Sequence, residues 1–96
     1  MKKLLMMAVF MGGAAMAGTL EEGKMALEKH DYAKAAERFG TSCTDGNPQG
    51  CFELGALYEK GVGIAQDPYR AADLYAQACR GGEAKGCSHM GGNVAY

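Results

Sequence analysis

The sequence is poor in the residues that most chemistry needs. Ten Lys and Arg against 11 Asp and Glu leave a formal net charge of −1. No basic stripe exists to neutralise phosphates, which argues against nucleic acid as a partner. The two histidines, His30 and His89, stand alone rather than clustering with carboxylates, so both read as surface residues and no metal site is expected. No C-x-x-C redox motif occurs. The only serines are Ser42 and Ser88, and neither has a lysine three positions on, so the S-x-x-K pairing is missing. Asp45 reads as a turn former, and the acid pair Glu21-Glu22 and the neighbours Glu59 and Lys60 as solvated helix faces. No catalytic residue can be named from these, and no cofactor is expected.

What is present begins with a leader. Lys2 and Lys3 precede an apolar run from Leu4 to Ala14, and Ala15-Met16-Ala17 has the A-x-A form of a signal-peptidase site. The run is too short for a bilayer span and contains Gly12 and Gly13. Residues 1–17 therefore read as a secretory signal peptide and 18–96 as a single small domain, exported to the periplasm or beyond. No membrane span is expected after cleavage. No cysteine follows the cut directly, which argues against a lipid anchor.

All four cysteines fall after the leader, in a chain bound for an oxidising compartment. Four cysteines allow three pairings. The spacing favours Cys43–Cys51 and Cys79–Cys87, since each pair brackets its own turn, CTDGNPQGC and CRGGEAKGC. Zinc ligation is the rival reading, but zinc sites pair cysteines two to four residues apart.

The two turns are copies. Cys43 and Cys79 are separated by 36 residues, as are Cys51 and Cys87. The same shift places Asp31 on Asp67, Ala35-Ala36 on Ala71-Ala72, and Phe39 on Tyr75. A period of this length marks a stacked repeat, with units at about 31–66 and 67–96. Asp67-Pro68 is a helix start, Asp as cap and Pro in the first turn. Ala71, Ala72, Tyr75, Ala78 and Cys79 then keep a helical rhythm that Arg80-Gly81-Gly82 ends. Cys51, Leu54, Leu57 and Tyr58 form the inner face of a helix ending at Gly61. Gly55 inside that helix costs about 1 kcal/mol relative to Ala, which a close helix crossing would explain. A further helix over 19–30 is predicted ahead of the repeats, opened by a Thr19-x-x-Glu22 capping box. Gly23 and Asp31 match Gly55 and Asp67, with a connection four residues shorter.

The stretch GCFELGALYEKGVGIAQDPYRAADLYAQAC, residues 50–79, closely resembles the SEL-like (SLR) repeat, a relative of the tetratricopeptide repeat. The paired cysteines resemble its secreted, cysteine-rich Hcp branch. The matching positions are the cysteine spacing, Gly55, Tyr58, Gly61, Gly63, Asp67, Ala71 and Ala72, and the resemblance covers about residues 31–90. It implies an all-α fold, a short right-handed solenoid of antiparallel helix hairpins stapled by disulfides. It also implies a β-lactamase family, with binding or slow hydrolysis of penicillin-like compounds. Repeat scaffolds of this kind also serve as non-catalytic protein- or peptide-binding modules. Most members carry more repeats. Here CSHMGGNVAY is a weak copy of CFELGALYEK, with Ser88 for Phe52 and Asn93 for Leu57, either a polar cap or a truncated unit.

The first helices of successive units line the concave face of such a solenoid. Lys34, Arg38, Arg70 and Leu74 are expected to point outward there, the three cations forming a strip for an anionic ligand. The ligand classes this suits are a peptide, a cell-wall fragment, a β-lactam or a protein partner. The loop from Gly61 to Gln66 is the next candidate.

Overall fold

A computed structural model describes residues 18–91. The leader and cleavage site expected over residues 1–17, and the ending that includes Asn93, lie outside the described residues. Within them the chain is all helical. Helix α1 is described over 18–28, followed by α2 (Tyr32–Thr44), α3 (Pro48–Lys60), α4 (Pro68–Arg80) and α5 (Ala84–Gly91). Consecutive helices pack against one another in chain order, α2 on α3, α3 on α4 and α4 on α5.

Local chemistry sets the boundaries. Asp31 caps α2, its Oδ1 accepting from the Lys34 N–H at 3.4 Å, and Asp67 caps α4 through the Arg70 N–H at 3.1 Å. Asn47 caps α3 by accepting from Gln49 N–H at 3.0 Å, with Pro48 in the first turn. Helix α3 stops at Gly61, which takes the left-handed conformation (φ 70°, ψ 40°). Helices α1, α2 and α4 end in the same way as α3, where the Val62 N–H reaches back five residues to the Leu57 carbonyl behind left-handed Gly61. The N–H groups of Asp31, Asn47 and Glu83 reach back five residues to the carbonyls of Ala26, Ser42 and Ala78. The left-handed residue just before each is His30, Gly46 and Gly82. This is the Schellman closure. The capping box expected at Thr19 is not formed. Residues 18–20 are already helical, so Thr19 lies inside α1.

Both disulfides have the pairing expected from spacing, Cys43–Cys51 and Cys79–Cys87. Each joins the last turn of one helix to the first turn of the next. The turns between are tight because glycines face the preceding helix. A Cβ on Gly50 would stand 2.6 Å from Ser42 Oγ, and one on Gly86 2.7 Å from the Tyr75 carbonyl oxygen.

The apolar side chains gather in two clusters joined by Leu54. One holds Cys51, Phe52, Ala71, Leu74, Tyr75 and Ala78, between α3 and α4. The other holds Ala26, Ala35, Ala36, Phe39 and Leu57, with Val62 and Ile64 folding in from the loop after α3. Gly55 is where α3 and α4 cross closely, since a Cβ there would lie 3.0 Å from the Tyr75 ring. Gly23 plays the same part under Phe39 at 2.5 Å.

Candidate functional site

A groove of about 270 Å³ runs along the junction of α1 and α2. Small residues create it. Ala26, Ala35 and Ala36 are buried and let the two helices approach, so the long side chains beside them rise as rims. Glu22 and Met25 line it from α1, Lys29 from the turn that follows, and Lys34 and Arg38 from α2, with Asp31 at the end. Met25 exposes 52% of its surface.

The charges in the groove are unequally engaged. Arg38 Nε, out of contact with water, lies 3.1 Å from Glu22 Oε1, although its N–H is not aligned for a hydrogen bond. Asp31 is occupied in capping α2. Lys29 and Lys34 are exposed and belong to no ion pair among the described residues. Two ammonium groups and the outer nitrogens of a guanidinium therefore stand available around a partly apolar groove. Such an arrangement suits a carboxylate, which a guanidinium can receive on two parallel N–H bonds.

The expected strip is only partly assembled. Lys34 and Arg38 share this groove. Arg70 does not line it. It is exposed near the start of α4, in the place Lys34 has in α2, with its guanidinium 5.4 Å from the centre of the Tyr58 ring. Leu74 does not point outward. It is 6% exposed and sits in the α3–α4 cluster. The reason is visible in the repeat. Arg38 pairs with Glu22, and the positions matching these two are Leu74 and Leu54. A charged pair at the α1–α2 junction is replaced by an apolar pair at the α3–α4 junction.

The other polar residues have structural places. Ser42 is 3% exposed, beneath Gly50. Ser88 is exposed on α5 and makes no hydrogen bond among the described residues. His30 is the left-handed residue ending α1. His89 packs against both the Phe52 and Tyr75 rings, at 5.0 and 4.9 Å, and its Nδ1 lies 2.9 Å from the Lys85 carbonyl oxygen. Asp45 is the C-cap of α2. Among the described residues no three His, Cys, Asp or Glu side chains stand together as metal ligands would.

One feature escaped the sequence reading. The Tyr75 hydroxyl donates to Glu59 Oε1 at 2.5 Å. Burial, then this hydrogen bond and the charges of Glu59 and Glu53, push the phenol well above its ordinary pKa. Residues 16 apart on different helices have no shared period, so spacing could not have paired them.

No protein-family model matches the chain. The chain is 42% identical over 45 residues to a Helicobacter pylori protein named "Putative beta-lactamase HcpE". The match covers 47% of this chain and 13% of that protein's length. The chain is thus similar to a small part of a much longer Hcp protein. The helical hairpins and the two disulfides are consistent with the SEL-like repeat that the sequence resembles. No described helix is long and apolar enough to cross a membrane, and the disulfides are compatible with export.

Proposed function

We propose that the protein is an exported helical-repeat binding module that holds a carboxylate-bearing ligand in the α1–α2 groove. The observation that carries this reading is the gathering of Lys29, Lys34 and Arg38 around one groove in a chain with no excess of positive charge. Arg38 is already steadied by Glu22, so less of its freedom is lost on binding. Arg70 serves as a second anchor on the next repeat for a ligand long enough to reach it. The leader expected from the sequence and the two disulfides support export.

A second reading, β-lactam binding or slow hydrolysis, is favoured by the name of the H. pylori relative. A penicillin carries the same carboxylate, so the groove would serve it too. Calorimetric titration of the disulfide-intact protein with benzylpenicillin and with an N-acetylated peptide ending in a free carboxylate tests both. Binding of either should weaken roughly tenfold in Lys34→Ala/Arg38→Ala at low salt, as expected for two exposed charge contacts. The difference should shrink as salt rises, because charges are screened beyond about 10 Å at 0.1 M. Equal affinities for parent and variant at low salt would remove the groove from consideration. Turnover of nitrocefin by the pure protein would favour the hydrolase reading instead.

A further inference from the structure

A second cleft, of about 340 Å³, opens where α1, the start of α2, α3 and the loop after it meet. Its volume is at the small end of ligand sites. Leu27, Ala56, Leu57 and Val62 make it largely apolar, and Tyr32, Glu53 and Lys60 are its polar points. Glu53 and Lys60 are seven residues apart on α3, close to two turns, so they share one face about 10.5 Å apart along the axis. Among the described residues neither is in an ion pair. An acid stands near one end of an apolar slot and a base near the other.

The wall of this cleft is held in place from several sides. The N–H groups of Gly61 and Val62 both donate to the Leu57 carbonyl, at 2.8 and 3.1 Å. Gly63 has φ 73° and presses on the start of α2, where a Cβ would lie 2.5 Å from that of Tyr32. Gln66 Nε2 donates to the Glu59 carbonyl at 2.8 Å. A loop so tied needs little ordering when a ligand arrives.

We propose that this cleft binds a short zwitterionic peptide of about three residues, its amine on Glu53, its carboxylate on Lys60, and an aliphatic middle side chain over Ala56 and Leu57. The length follows from the spacing, since an extended chain advances about 3.3–3.6 Å per residue. A single amino acid cannot reach both charges, and a pentapeptide places its termini beyond them. The site is separate from the α1–α2 groove and does not depend on it. That groove needs only a carboxylate, whereas this cleft requires a free amine as well.

The test is an NMR titration of the full chain, disulfides intact, with Ala-Leu-Ala, N-acetyl-Ala-Leu-Ala and Ala-Leu-Ala amide. The free tripeptide should shift the amides of Tyr32, Ala56 and Val62. Blocking either terminus should weaken binding up to about fivefold, the most that exposed charge pairs usually give. Glu53→Gln should weaken the free peptide by a similar factor and leave the acetylated one unchanged. Lys60→Gln should do the same for the amide. This non-additivity is the signature of direct pairing. Equal binding of free and blocked peptides, or no shifts in this region, overturns the proposal. Shifts confined to Ala26 and Lys34 overturn it as well, by assigning the peptide to the α1–α2 groove. Should either variant perturb the whole spectrum, the blocked peptides on the parent protein decide alone.

Discussion

At the scale of single residues, Tyr75 shows how much one side chain can link. Its ring lies under Gly55, 5.5 Å from Phe52 and 4.9 Å from His89, and its hydroxyl reaches Glu59. The folded phenol resists ionisation, chiefly through burial and then through Glu59. In the unfolded chain it ionises around its ordinary value of about 10. Above that pH the unfolded state binds fewer protons than the folded state, so stability falls as pH rises. Below it the contribution is complete. Urea unfolding of the parent should therefore weaken progressively beyond pH 10. In Tyr75→Phe the loss of the hydrogen bond should cost about 1 kcal/mol at neutral pH, and the alkaline decline should be shallower. An unchanged decline would show that Tyr75 is not its source. Gly55 itself was legible beforehand, because a glycine inside a helix carries a local cost that asks for a close crossing. The Tyr75–Glu59 contact was not, because it exists only once α3 and α4 have packed.

At the scale of elements, the ends of the helices were the most legible feature. Asp31, Asp67, Pro68, Gly61 and Gly81 act through their own turn, so sequence alone places them. The Thr19 box misled because a capping pattern also fits inside a helix that has already begun. Leu74 misled for a different reason. Its repeat partner is an arginine, and two such residues at one position suggest a solvated face. The position in fact lies at the junction with the preceding helix, filled by Glu22 with Arg38 in one unit and by Leu54 and Leu74 in the next. This equivalence makes a prediction. An exposed ion pair contributes about 0–1 kcal/mol, and apolar residues fill the matching junction. Glu22→Leu/Arg38→Leu should thus be at least as stable as the parent by its urea midpoint, while losing carboxylate binding in the groove. A fall in stability beyond about 2 kcal/mol would mean that the charged pair, rather than the alanines beneath it, holds α1 on α2.

At the scale of the whole molecule, the two disulfides carry weight that the small core cannot. Closing a nine-residue loop contributes about 2.6 kcal/mol on the chain-entropy estimate, and two contribute about 5. That equals the lower end of the total stability of a typical domain, about 5–15 kcal/mol. The two bridges are not equally sheltered. Cys51 is 5% exposed and Cys43 packs against the α3–α4 cluster, whereas Cys87 is exposed and Cys79 half-buried. Thiol–disulfide exchange needs access to a sulfur. A limiting amount of reductant, followed by alkylation and mass spectrometry, should therefore find Cys79 and Cys87 labelled first. At that point α5 should loosen while the α1–α3 packing keeps its hydrogen-exchange protection. Reduction of Cys43–Cys51 should follow and abolish cooperative unfolding at 37 °C. Labelling of Cys43 and Cys51 first would show that exposure does not set the order. A reduced chain that still unfolds cooperatively at that temperature would show that the packing of α1–α4 suffices without either bridge.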